Sequence, residues 1–158
     1  MPNTILTNKP ALVYGAVLDC LKEISFSNGY QTQPGVFENR DAYDLESLKW
    51  VIEMYQGDPY LSPIQDDATV SLRFLIEQKI NVVGWAHGGR GDVMDELHKL
   101  LQDTLTAVHG HASTIAGAAG GCAFGISDVQ TDQGLLFQRG QATFDFTVTV
   151  RYYQDPTW

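Results

Sequence analysis

One stretch constrains this chain more than any other: Gln141 to Tyr153, QATFDFTVTVRYY, alternates without a break. Ala142, Phe144, Phe146, Val148, Val150 and Tyr152 fall on one side, and Gln141, Thr143, Asp145, Thr147, Thr149 and Arg151 on the other. Side chains on a strand repeat every second residue, so the pattern specifies one buried face and one wet or partner-facing face. A strand this long has to close a sheet of comparable length begun earlier in the chain. The fold must therefore contain at least one more long strand and something apolar to cover the aromatic face.

Both requirements are met upstream. From Val70 to His87, Val70, Leu72, Phe74, Ile76, Ile80 and Val82 share a face opposite Ser71, Arg73, Glu77, Lys79 and Asn81. Gln78 interrupts the apolar row, which predicts a bulge or a strand leaving its sheet at that point. Lys49 to Gln56 reads as a shorter strand, with Trp50, Ile52 and Met54 on one side and Lys49, Glu53 and Tyr55 on the other. Ala123 to Val129 and Leu135 to Gln138 read as weak strands. The covering helices are expected at Pro10 to Phe26, capped by Asn8 and ended by Ser27-Asn28-Gly29, and after His87-Gly88-Gly89-Arg90-Gly91. In the second helix Asp92 is placed to cap, Asp95 and Glu96 suit the first turn, and Val93, Leu97, Leu100, Leu101, Leu105 and Val108 form the stripe.

The remaining segments lack a clear period. Tyr30 to Leu48 is polar and extended, Gly57 to Thr69 reads as a long acidic, proline-bearing loop, and Gly110 to Gly125 is rich in Gly and Ala. Long stretches of this kind are uncommon in compact domains and are often functional. We expect Gly57 to Thr69 and Gly110 to Gly121 to be mobile in the isolated subunit. The expected fold is α+β, a mainly antiparallel sheet with two packed α-helices, as one domain over residues 1–158. Its core spans 10–153, with terminal arms at 1–9 and 154–158, and Ile76, Leu97, Leu101, Phe144 and Phe146 should be buried.

Charge narrows the function. Ten Lys and Arg against nineteen Asp and Glu give a formal charge of −9, and the basic residues are scattered from Lys9 to Arg151. A sequence-specific nucleic-acid surface is not expected, because phosphate affinity needs clustered cations that release counterions. Anionic membranes are disfavoured for the same reason. No apolar run approaches the ~20 residues of a spanning helix. The start, MPNTILTNKP, has no basic region followed by an apolar core, so no signal peptide is read and a soluble chain made in the cytoplasm is expected. Two cysteines, Cys20 and Cys122, make no disulfide framework, and both are expected to be reduced, with Cys20 a small core residue.

Several constellations invite a chemical reading. His98, His109 and His111 could suggest a metal, but zinc needs three or four converging ligands and no Cys pair or HExxH accompanies them. A polar helix end explains His109 equally well. Gly117 to Gly125 resembles a phosphate-cradling loop without the Lys-Ser/Thr that ends one, and Gly88 to Gly91 precedes a helix whose positive end Asp92 and Asp95 already occupy. Asp66-Asp67 and the pair Asp58/Glu53 could act as acid and base, yet nothing in the sequence buries or perturbs them. No GxSxG elbow or nucleophilic Cys context is present. We assign no catalytic, cofactor-binding or metal residues, expect no cofactor, and do not expect an enzyme.

The order of elements over Pro10 to Tyr153 resembles the tail terminator family of tailed bacteriophages, among the tail-completion proteins. Three stretches carry the resemblance: the leading helix and turn from Leu12 to Gly29, the passage from Leu72 to Val108 containing IEQKINVVGWAHGGRGDVMDELHKLLQDTLTAV, and the final TFDFTVTVRYY. The resemblance implies a structural virion protein of the tail or neck, formed in the host cytoplasm during assembly. It implies a homohexameric ring that caps the tail tube and joins it to the head connector, with DNA passing through. The partners implied are the chain itself, the tail tube protein and the connector or stopper, with the sheath a further candidate. A head-tail connector or stopper is the nearest alternative, and a small oligomeric α+β enzyme or ligand-binding domain the alternative from another class. A ring needs a heterologous interface, which the edge of a long strand can supply.

Overall fold

The computed structural model describes residues 8–38, 48–64, 74–88, 92–121, 123–132 and 140–154. It is α+β: a five-stranded mixed sheet in the order β1-β2-β3-β5-β4, with helices against one face. The strands are β1 (Gly35–Glu38), β2 (Trp50–Ile64), β3 (Phe74–His87), β4 (Ala123–Asp132) and β5 (Gln141–Gln154). The helices are α1 (Lys9–Lys22), α2 (Val93–Gly110) and the short α3 (Ala112–Gly117). Only β1 and β2 run parallel; every other pairing is antiparallel. No helix among the described residues is long and apolar enough to cross a membrane.

The closing strand lies inside the sheet, between β3 and β4. β5 pairs with β3 from Gln141 opposite His87 to Gln154 opposite Phe74, and with β4 on its other side. Its alternation translates directly into burial: Ala142, Phe144, Phe146, Val148, Val150 and Tyr152 are all buried. They meet Ile76, Ile80, Val82 and Ala86 of β3 and Ile52 and Met54 of β2, and the helices seal this layer with Val13, Val17, Leu21, Val93, Leu97, Leu100 and Val108. Phe144 and Phe146 stack with ring centres 6.1 Å apart. Gly84, beside Phe144 in the ladder, leaves the space that the Phe144 ring occupies.

Several expectations are corrected. The first helix stops at Lys22 rather than Phe26, because the side-chain Nδ2 of Asn28 donates to the Glu23 carbonyl at 2.7 Å and the last turn tightens to i→i−3 bonds. Phe26–Asn28 form a separate 3₁₀ turn closed by Gly29 at φ +86°. Asn8 caps α1 as expected, accepting from Ala11 N. Asp92 stands at the N-cap of α2 but makes no side-chain cap bond; its backbone is already helical (φ −109°, ψ −16°), whereas a capping side chain needs extended backbone.

Gln78 does not break β3. It stays in register with Val150, and the irregularity lies instead in β2, between Gln56 and Leu61. Gly57 to Ile64 is accordingly not a loop: β2 runs through it with a bulge and a cis Asp58–Pro59 bond. Two prolines are tolerated there because, among the described residues, β1 covers β2 only over Val51–Met54, which leaves the rest of β2 at the sheet margin. Gly57 is needed, since a Cβ there would lie 2.8 Å from that of Lys79. Residues 65–69 of the expected loop, the start of the long strand at 70–73, and Leu135 to Gln138 lie outside the described residues. The Gly/Ala-rich connector contains α3, anchored by buried Ile115. The α2 stripe is rotated from the expected one: Leu101 and Leu105 are half-buried, while Glu96, Asp103 and Thr104 turn inward.

Candidate functional surface

The inward polar residues of α2 are hydrogen-bonded, as burial demands. Asp103 accepts from the backbone N and hydroxyl of Thr32 at 2.8 and 2.6 Å, pinning the segment that leads into β1. Glu96 accepts from Trp50 Nε1 at 3.1 Å and pairs with Lys49 and Lys99. Thr104 donates to Leu100 O. The largest such network centres on Gln78, which is fully buried. Its amide donates to Pro10 O (2.9 Å) and Tyr60 Oη (2.7 Å), while Tyr152 Oη donates to its carbonyl at 2.9 Å. Burial pushes the Tyr152 hydroxyl well above the usual tyrosine range and raises Tyr60. These groups tie α1 to the sheet, and Lys9 Nζ adds a 2.6 Å bond to Tyr153 O.

The opposite face of the sheet carries the other half of the alternation, and no described helix covers it. Reading across the register, one row is Tyr55–Asn81–Thr147–Ser127, with Thr147 donating to Asn81 Oδ1 at 3.1 Å. The row Ser62–Glu77–Arg151–Ala123 holds an ion pair in which Arg151 donates to Glu77 Oε2 through Nε (3.0 Å) and Nη2 (2.9 Å), with Lys79 beside it. Glu53 and Asp145 flank Val83 in a third row. Burial, then the carboxylates of Asp145 and Glu53, raise the Tyr55 hydroxyl, so this part of the face carries a negative field. Toward β1 the face closes: Val51 is buried, and Leu48 and Phe37 crowd over Gly35.

Among the described residues the constellations noted in the sequence lie apart from one another. His98 and His109 are exposed on α2, while His111 lies with Nδ1 2.7 Å from Ala107 O and Nε2 3.0 Å from Glu23 Oε2. Among the described residues no group of three His, Cys, Asp or Glu is placed to hold a metal. Gly117 to Gly125 is divided between the end of α3, a turn and the start of β4; Cys122 within it is outside the described residues. So are Gly89 to Gly91 and Asp66-Asp67, and Asp58 sits exposed in the β2 bulge. Cys20 is a free, buried thiol donating to Val17 O, and burial pushes it up to about 12. Among the described residues, one hollow of about 200 Å³ lies along β4 and another of about 250 Å³ between α1 and β2. Both are smaller than the ~300–1,000 Å³ of usual ligand pockets. Sequence reasoning read Ala123 to Val129 as a weak strand but missed that β4 runs on to Asp132 and forms the sheet edge. Its only signal was the weak alternation of Ala123 to Val129.

No protein-family model matches the chain, and no curated protein matches it.

Proposed function

We propose that this chain is a ring-forming structural subunit of a phage virion, a tail terminator that caps the tail tube and joins it to the head connector. The observation that supports the reading best is the one-sided sheet. Helices pack on its aromatic face, while a broad polar face and a long edge strand are left for neighbours. A homohexamer with the polar face inward would line its passage with hydroxyls, amides and the carboxylates of Glu53 and Asp145. The basic groups there, Arg151 and Lys79, are engaged by Glu77. Such a lining offers DNA no cluster of cations to adhere to, and like charge keeps it moving. The proposed location is the tail or neck of the virion, reached from the host cytoplasm.

The test is to image the purified protein alone and with isolated tail tubes by electron microscopy, beside its mass in solution. Rings of about six copies, seated on tube ends, are expected. A chain that stays monomeric even with tubes present sinks the proposal, and rings that bind the head connector but ignore tubes would point to the stopper instead.

A further inference from the structure

We propose that the edge strand β4 is the joint between copies, pairing antiparallel with the β2 margin of the next copy; this rests on the ring reading above. Edges of this length are usually blunted by Lys, Pro or a bulge. In β4 the bulge falls late, between Ser127 and Gln130, with Asp128 at φ +56°. The half before it, Ala123-Phe124-Gly125-Ile126-Ser127, has neither charge nor proline and, among the described residues, pairs with β5 alone.

Three observations select the β2 margin as its occupant. The first is direction. β2 and β5 run one way, β3 and β4 the other, so rotating a copy about an axis along the strands brings β4 beside an oppositely directed β2. The second is height. The register places Ala123 level with Arg151, Glu77 and Ser62, and Ser127 level with Thr147, Asn81 and Tyr55. The flat half of β4 therefore stands opposite the part of β2 that β1 leaves uncovered.

The third is side-chain chemistry. Phe124, half-buried, lies in the row Phe124–Val150–Gln78–Leu61, and Leu61 is 39% exposed at the far end of that row. A copy joined without axial offset sets its Phe124 beside Leu61 of the next, and directly opposed apolar pairs stabilise sheets. The hollow bordered by Ala123, Phe124, Gly125, Thr149 and Arg151 lies on the same edge and leaves room for an incoming side chain. Pro59 and Pro63 each remove a donor from the β2 margin, so the joint depends on this packing as well as on the ladder.

Cysteine pairs test the joint. In a Cys122→Ser background, Ala123→Cys with Ser62→Cys places one thiol on each margin in a single row of the polar face. Under mild oxidation in the presence of tail tubes, the double variant should give a covalent ladder up to the ring size. Neither single variant should. Gly125→Lys, whose Cβ meets nothing within 4 Å, should abolish assembly while the isolated subunit keeps its melting temperature. Rings of unchanged mass that yield no ladder, or that tolerate Gly125→Lys, overturn the joint and leave the ring standing. Covalent dimers from Ala123→Cys alone mean a two-fold β4–β4 contact and overturn it too. A chain that remains monomeric on tubes overturns both proposals.

Discussion

Removing the Gln78 carboxamide measures how far α1 is held to the sheet by one buried network. Gln78→Leu keeps the volume but leaves the Tyr152 hydroxyl, fully buried, without its acceptor. Pro10 O is less affected because Tyr60 Oη already lies 3.4 Å away. One stranded buried donor costs about 1–3 kcal/mol, and we expect Gln78→Leu to fall in that range. Tyr152→Phe should cost a similar amount by stranding the Gln78 carbonyl. Once either partner is gone the second removal has little left to break, so the double variant should lose about as much as one single, a coupling of about 1–2 kcal/mol. Urea unfolding followed by tryptophan fluorescence gives all four values. Additivity within about 0.5 kcal/mol, or a Gln78→Leu protein as stable as the parent, would refute the reasoning.

The same network predicts an alkaline limit. Tyrosine in the unfolded chain loses its proton near pH ~10, whereas burial holds the Tyr152 hydroxyl protonated well above that. The stabilisation is complete below the unfolded value and falls as pH climbs beyond it, by up to about 1.4 kcal/mol per pH unit for each such tyrosine. Tyr152→Phe should flatten that decline by one proton.

Two other predictions concern single positions. Gly84→Ala drives a methyl into the Phe144 ring and should destabilise by about 1–3 kcal/mol in the same urea assay; a neutral result would mean that the Phe144–Phe146 stack shifts freely. Cys20, with its thiol held up to about 12, should react with iodoacetamide at pH 8 roughly 10³-fold more slowly than a free thiol until the chain unfolds, as followed by mass spectrometry.

What could be read in advance followed the strength of the alternation. β5 and most of β3 were legible because one face had to be apolar, and the polar face was legible from the same residues: Thr143, Asp145, Thr147, Thr149 and Arg151. The extension of β2 was not. Gly57, Asp58, Pro59 and Pro63 have the composition of a loop, and only their position at the margin, beyond the four residues of β1, lets them remain a strand. Gln78 misled for a related reason: a polar residue in an apolar row signals a break unless partners await it, and Pro10, Tyr60 and Tyr152 come from three other elements. The rotated face of α2 was hidden likewise, since Asp103 is inward only because Thr32 meets it. The role of β4 as an edge depends on strand order, which no local pattern encodes.

The position of β5 also has a consequence for biosynthesis. The strand that lies between β3 and β4 follows both of them in the chain, and its bonds span separations such as that between Lys9 and Tyr153. A ribosome-bound chain that has not yet exposed residue 154 therefore holds β1, β2 and β3 apart from an unpaired β4, with the apolar rows and ladder groups that face β5 uncovered. Non-local pairing of this kind is slow and prone to wrong partners. The nascent chain should depend on holding chaperones until its final strand emerges, and then collapse in one step.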